Sequence, residues 1–258
     1  MNNPNGRWNR LGRSGRDDGD GGGPAEGPEI LVINERQLRA FIIRVYLSSV
    51  VLCILSSIPW IIISALNVKV KEDIPVPAYV WLILTFIILI VLSCIRQTPA
   101  LTLLCWGLVL GCVFFITLFG TYYMHMMRVW DLLAIILLAG SLLGLLHLYG
   151  AKGPEILLPN VLCTCCIFLL LTVTLFVLVI LYLVIKDLRY LLAFAILFAV
   201  LILFMAPFQA RFICGRLQHV PYGETADCAL GIYLYFAFLV NAIFVFALYY
   251  DHTHNKNT

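Results

Sequence analysis

Long apolar runs separated by short polar stretches occupy the chain from residue 46 onward. A helix that crosses a bilayer needs about 20 apolar residues. Seven runs approach that length: 46–66, 74–95, 99–119, 129–149, 160–183, 190–207 and 229–250. The pattern predicts an all-α membrane protein with seven transmembrane helices. The sixth run is the shortest and leads into the longest and most polar connection, FQARFICGRLQHVPYGETADC, where irregular backbone is expected. Residues 1–34 are rich in Gly, Pro, Arg and Asp and hold too little apolar surface to fold. They read as a disordered cytoplasmic tail, with a recognition segment for a partner as the functional alternative. Residues 35–250 form the expected transmembrane domain, and 251–258, DHTHNKNT, a short C-terminal tail.

Composition sharpens this picture. The chain is 62% apolar and 12% charged, against roughly 25% charged in a soluble domain, and no separate soluble domain fits beside the runs. The first 28 residues lack the apolar core of a cleavable signal peptide, so the first span is expected to act as the targeting signal. Basic residues stay on the cytoplasmic side of a membrane. With the N-terminus inside, the inner segments carry Arg7, Arg10, Arg13, Arg16, Arg36, Arg39, Arg44, Arg96, Lys152, Arg211 and Arg216, and the outer ones Lys69, Lys71, Arg128, Lys186, Arg189 and Lys256. Eleven against six predicts a cytoplasmic N-terminus and an external C-terminus, which weighs against a seven-helix G-protein-coupled receptor. The net charge is only +3, and the seven Arg of the first 45 residues are interleaved with six acids. That arrangement is unlike a nucleic-acid-binding stripe, and no nucleic-acid partner is expected.

Ionisable residues inside a membrane are costly and are the default functional candidates. Asp131 follows Arg128 by three positions and reads as a surface pair at a helix start. Asp187, between Lys186 and Arg189, reads as part of a solvated turn. His147 could titrate near neutral pH, but its place near the end of the fourth run suggests an interfacial residue. The CTCC group, Cys163, Cys165 and Cys166, has no second motif to complete a zinc site. Helical geometry also takes Cys165 off the face shared by the other two, and buried apolar thiols are expected. Asp251, His252 and His254 read as a frayed end, so no metal and no cofactor are expected. Pro59 suggests a kink in the first span and Pro207 the end of the sixth. Gly140 and Gly144, with Ser141, have the small-xxx-small spacing of helix packing. No span holds paired carboxylates, no HExxH or GxSxG motif occurs, and only His125 and His147, at span edges, could act as bases. An enzyme is not expected.

The segment ERQLRAFIIRVYLSSVVLCILSS anchors Arg39 and Arg44 at the interface and sends Phe41, Ile42, Val45 and Tyr46 into the apolar layer. It resembles the opening of the Bax-inhibitor or lifeguard (transmembrane Bax inhibitor motif) family. The likeness continues through LSCIRQTPALTLL, FGTYYM and ALGIYLYFAFLVNAIF, and covers about residues 35–250 in order. The resemblance implies six helices around a central seventh. It also implies calcium leak from internal stores, with calcium as the permeant ion, and restraint of cell death. A location in the endoplasmic reticulum or Golgi follows, with membrane lipid and cell-death regulatory or channel proteins as partners. In the family the leak is tied to two aspartates, one late in the sixth span in a Phe-Asp-Thr-Gln type stretch and one in the seventh just after Tyr-Leu. Two close carboxylates in low dielectric cannot both ionise cheaply, so such a pair works as a proton-sensitive latch.

Here both aspartates are replaced. Tyr235 follows Tyr233 and Leu234, and Phe208 or Gln209, depending on a one-residue gap, takes the other place. Asp227 lies eight residues before Tyr235, about 12 Å along a helix, with Glu224 farther out; both read as acids favoured at a helix N-terminus. The candidate ion-pathway or latch residues are therefore Tyr235, Gln209, Phe208 and, about two turns deeper, Asn241. A Tyr235–Gln209 hydrogen bond would join the two helices without acid sensitivity, because tyrosine ionises near pH ~10; simple packing by Tyr235 is the alternative. Two other functions fit the same chain. One is a non-conducting interaction protein acting through the tail and the six-to-seven loop. The other is a small-molecule or lipid transporter, for which neither an inverted repeat nor paired broken helices are evident.

Overall fold

Runs that are apolar on every side must satisfy their own backbone, and only an α-helix does so within one segment. A computed structural model of the chain describes residues 35–68, 76–95, 99–153, 161–185, 187–216 and 224–254, and within these the regular structure is entirely helical. The order is α1 (Glu35–Leu66), α2 (Ala78–Cys94), a 3₁₀ turn (Pro99–Leu101), α3 (Thr102–Met124), α4 (Val129–Lys152), α5 (Val161–Ile185), α6 (Leu188–Ile213) and α7 (Thr225–His254). Six of these helices are long and apolar enough to cross a membrane, and α2 is a shorter apolar helix of 17 residues. The tail before residue 35, Lys69, Lys71, Arg96, Lys186 and Lys256, and the side chains of Cys163, His252 and His254 lie outside the described residues.

Several boundaries move from where hydropathy alone puts them. α1 begins at Glu35 rather than near 46, because ERQLRAFIIR is itself helix-forming and carries an exposed Arg39–Glu35 pair at 4.0 Å. Such i,i+4 pairs contribute a few tenths of a kcal/mol. The shortest helix is α2, not the sixth. α6 has 26 residues and continues six beyond Pro207, so the proline lies inside the helix and the start of the expected irregular stretch is helical. Its end is a Schellman turn: Gly215, at φ 69°, donates to the Phe212 carbonyl at 3.1 Å, and the Arg216 N–H donates to the Arg211 carbonyl at 3.0 Å. α1 ends the same way, with Asn67 in the left-handed region at φ 49° and Val68 N–H on the Ile63 carbonyl at 3.3 Å.

The inner face of α1 is Phe41, Val45, Ser49, Leu52, Ser56, Trp60 and Ser64, at steps of three and four. Its outer face is Ile43, Leu47, Val50, Ile54, Ile58 and Ile62, all exposed. A helix on a water-soluble protein would turn its serines outward and its isoleucines inward. The inversion holds elsewhere: Leu103 is 86% exposed and Val184 75%.

α7 is the most enclosed helix, with 56% of its apolar window buried against 12% for α5. It packs against α1, α3, α4 and α6, whereas α2 packs chiefly on α3 and α5 on α6. The expected ring of six around a seventh is therefore four helices around α7, with α2 and α5 flanking them. α2 buries only Thr85 and Leu92, so little in its sequence selects the bundle interior over hydrocarbon.

The close crossings are not at the glycines singled out by spacing. A Cβ on Gly140 or Gly144 would meet nothing within 4 Å, and both positions, with Ser141, face outward. Two backbones approach instead at Gly150, where a Cβ would overlap the Pro207 backbone of α6, while Gly120 makes room for the Trp60 indole of α1.

Candidate functional site at the α6–α7 crossing

α6 and α7 run antiparallel, and their crossing gathers the residues of the sequence-based latch. Phe208, Gln209 and Tyr235 line one recess of about 280 Å³ together with Met205, Phe212, Glu224, Asp227 and Cys228. Both alternatives for the sixth-span position thus face the recess, but it is Gln209 that bridges the helices. Its Nε2 donates to the Cys228 carbonyl of α7 at 3.1 Å. This replaces the expected bond to Tyr235. The amide can lie so close to α7 because residue 231 is glycine, where a Cβ would overlap Gln209 Nε2. Gln209 Oε1 is buried and accepts no hydrogen bond among the described residues.

Asp227 and Glu224 do begin α7, as the helix-terminus reading holds, with Asp227 in the first turn. They also line the recess, which brings two carboxylates and the neutral amide to one cavity. Asn241 is not part of this site: its Nδ2 donates to the Ala237 carbonyl of its own helix at 2.8 Å.

A second polar group lies deeper, and the sequence reading missed it. Tyr233, two residues from Tyr235 and so on another face of α7, is fully buried. Its hydroxyl lies 2.7 Å from Ser56 Oγ of α1, which lies 2.7 Å from Thr117 Oγ1 of α3. Thr117 donates to the Val113 carbonyl at 2.6 Å, so the protons run in one direction: Tyr233 to Ser56, Ser56 to Thr117, Thr117 to Val113. Every hydroxyl donor is used, and three helices are joined without a charge. Trp60 Nε1 adds a bond to the Thr117 carbonyl at 3.0 Å. The signal in the sequence is the serine line of α1, Ser49, Ser56 and Ser64, in register with its aromatic anchors.

The remaining sequence candidates fall elsewhere. His147 is buried between helices near the end of α4; Nδ1 lies 3.0 Å from the Leu143 carbonyl and the ring packs edge-on to Tyr46 at 5.8 Å. Asp131 and Arg128 form no ion pair; Asp131 lies exposed in the first turn of α4, where its charge suits the helix dipole. Asp187 caps α6, accepting the Arg189 N–H at 3.0 Å. Cys165 and Cys166 are exposed on the outside of the bundle, not buried. At the end of α6, Arg216 Nη1 donates to the carbonyls of Gly153 at 2.9 Å, Ala151 at 3.1 Å and Gly150 at 3.4 Å, closing the C-terminus of α4. A cation there both satisfies orphan carbonyls and complements the helix dipole. Beside it, burial raises the Cys214 thiol above its usual pKa, against the opposing pull of the Arg216 guanidinium.

Comparison of the chain with protein-family models, with curated proteins and with solved structures gives no match.

Proposed function

We propose that this chain is an integral membrane protein of the endoplasmic reticulum or Golgi, of the Bax-inhibitor type, that modulates calcium content and cell survival without catalysing a reaction. In this reading its N-terminus is cytoplasmic, and calcium would be the permeant ion of any leak. The observation that carries it is the Gln209–Cys228 bond, which joins α6 to α7 from one of the two positions at which the resemblance places aspartates, the other, Tyr235, lining the same recess. A neutral amide does not titrate, so this bond does not itself open or close with a proton; the carboxylates that line the same recess are those of Glu224 and Asp227. The apolar exterior supports the membrane placement, since it would be costly to hydrate and costs nothing against lipid tails.

The test is calcium efflux from liposomes holding only this protein, at neutral and mildly acidic pH, beside a Tyr235→Asp variant. The expected outcome is a native flux, low or absent, that does not change with pH, and a pH-dependent leak in Tyr235→Asp. A native leak that responds steeply to mild acid would sink the neutral-latch reading.

A second reading, a non-conducting interaction protein, is favoured by the Tyr233–Ser56–Thr117 chain, whose hydroxyl donors are all used within the bundle. It predicts no flux from either protein and loss of cellular activity on deletion of residues 1–34. A transporter is less well supported: α1 and α6 each run unbroken through their proline.

A further inference from the structure

The bundle sorts its cysteines. Cys105, Cys112 and Cys228 are buried in the core, whereas Cys165 and Cys166 stand side by side on the exposed outside of α5, four and five residues from its start. Cys166 also lines a recess of about 340 Å³ whose other walls are Ile167, Leu170 and Leu171 of α5 and Val200 and Phe204 of α6. Apart from the thiol, every side chain lining it is hydrocarbon.

We propose that Cys166, with Cys165 beside it, is an S-acylation site whose fatty chain lies in the groove between α5 and α6. Cys166 and Leu170 are one helical turn apart on α5, and Phe204 and Val200 one turn apart on the antiparallel α6. The groove thus leads from the thiol along both helices, away from the end at which α5 begins. A chain attached at Cys166 enters this groove without crossing a polar group, and it covers apolar surface that no other part of the described bundle covers. Level with Cys166, α6 is still short of Arg211, the basic residue of its last turn, so the thiol lies just inside the boundary that the charged residue marks. Juxtamembrane cysteines at that depth are the ones that receive reversible S-acyl groups.

The donor is a long-chain fatty acyl thioester, used by a membrane acyltransferase. The Cys166 sulfur attacks the acyl carbonyl carbon. A new carbon–sulfur bond forms as the donor's carbon–sulfur bond breaks, the thiol proton ends on the departing thiol, and no electrons change hands. The proposal rests on the cytoplasmic N-terminus assigned above, which puts the start of α5 on the cytosolic side.

The experiment feeds cells expressing the full chain a palmitate analogue that carries an alkyne and a diazirine. The expected result is label that neutral hydroxylamine removes and that is lost in Cys165→Ser/Cys166→Ser but kept in Cys94→Ser, another exposed cysteine at the same end of the bundle. Irradiation should crosslink the chain to the α6 peptide holding Val200 and Phe204. Serine at these exposed positions leaves the core untouched, and an unchanged melting temperature in detergent checks this. Hydroxylamine-labile label that persists in the double variant overturns the site, and crosslinks that avoid α6 overturn the groove. An N-terminal epitope, probed after selective permeabilisation of the plasma membrane, separates the two readings. If the epitope is cytosolic and no label is found, acylation alone fails; if the epitope is lumenal, the orientation fails and takes the proposal with it.

Discussion

Gln209 reaches α7 because residue 231 offers no side chain to meet it, so two residues 22 positions apart form one unit. Gly231→Ala is expected to displace the amide and cost about 1 kcal/mol, the net worth of one hydrogen bond. The same substitution in a Gln209→Ala background should cost almost nothing, because the obstructing atoms are gone. Thermal unfolding of the four proteins in detergent gives the coupling directly, and additive effects would show that the two side chains do not interact. The buried hydroxyl chain makes a directional prediction as well. Tyr233→Phe removes a terminal donor and leaves no donor orphaned, so roughly 0.5–1.5 kcal/mol should be lost. Thr117→Val removes the acceptor of the Ser56 hydroxyl, which can then donate to Tyr233 only if Tyr233 turns to the Val113 carbonyl at the longer distance of 3.5 Å, so the loss should be somewhat larger, about 1–2 kcal/mol. Tyr235→Phe, in the recess with no hydrogen bond among the described residues to lose, should be the mildest of the three. Of these residues, Tyr235, Gln209 and Phe208 were legible in the sequence only through the family resemblance. Tyr233 was not, because an unbroken apolar run does not say which of two tyrosines faces three other helices.

Among the elements, the α4–α6 crossing depends on Gly150 rather than on the outward-facing Gly140 and Gly144. Gly150→Ala would force apart two backbones, one of them at a proline, and is expected to cost about 1–3 kcal/mol, as overpacking does. Gly140→Ala and Gly144→Ala meet open space and should be neutral or stabilise by up to about 1 kcal/mol through helix propensity. Unfolding midpoints in one detergent would separate the two classes. If Gly144→Ala were the damaging change, the packing described for α4 would be wrong. The small-xxx-small spacing identifies glycines able to pack closely, but Gly150 has no partner at that spacing and is paired only by the arrival of Pro207 from another helix. Pro207 looked like a terminus for a related reason: a proline ends a helix in water, whereas here buried neighbours surround it and the helix runs on to a Schellman turn at Gly215. That turn also delivers Arg216 to the end of α4, a link between elements that no local pattern announces.

For the whole molecule, among the described residues, the exterior is mainly hydrocarbon, while Ser49, Ser56, Ser64, Thr117 and the linking amide lie inside. This arrangement and the basic-residue bias together make a topological prediction: an N-terminal epitope should be reached from the cytosol and a C-terminal one only from the opposite side of the membrane. Both epitopes on one side would require an even number of spans. The simplest way to reach that is for α2, the 17-residue helix, not to cross. At 1.5 Å per residue α2 is about 26 Å long, slightly short of a hydrocarbon core of roughly 30 Å, so it is the span on which the topology turns. Flux measurements at two pH values belong to the same scale, since any conduction would depend on all the helices around α7 and not on Gln209 alone.

The sequence by itself determined the helical class and the approximate positions of the apolar helices. Those features follow from local composition and one-dimensional order, which hydropathy reports faithfully. The tertiary structure alone decided that four helices rather than six enclose α7, that Gln209 pairs with a backbone carbonyl, that Tyr233 is the buried tyrosine and that Cys165 and Cys166 look outward. In a chain whose helices are apolar on all sides, hydrophobicity no longer separates inside from outside. Facing is set instead by where small residues admit a neighbour and where hydroxyls find partners, and both depend on residues distant in sequence.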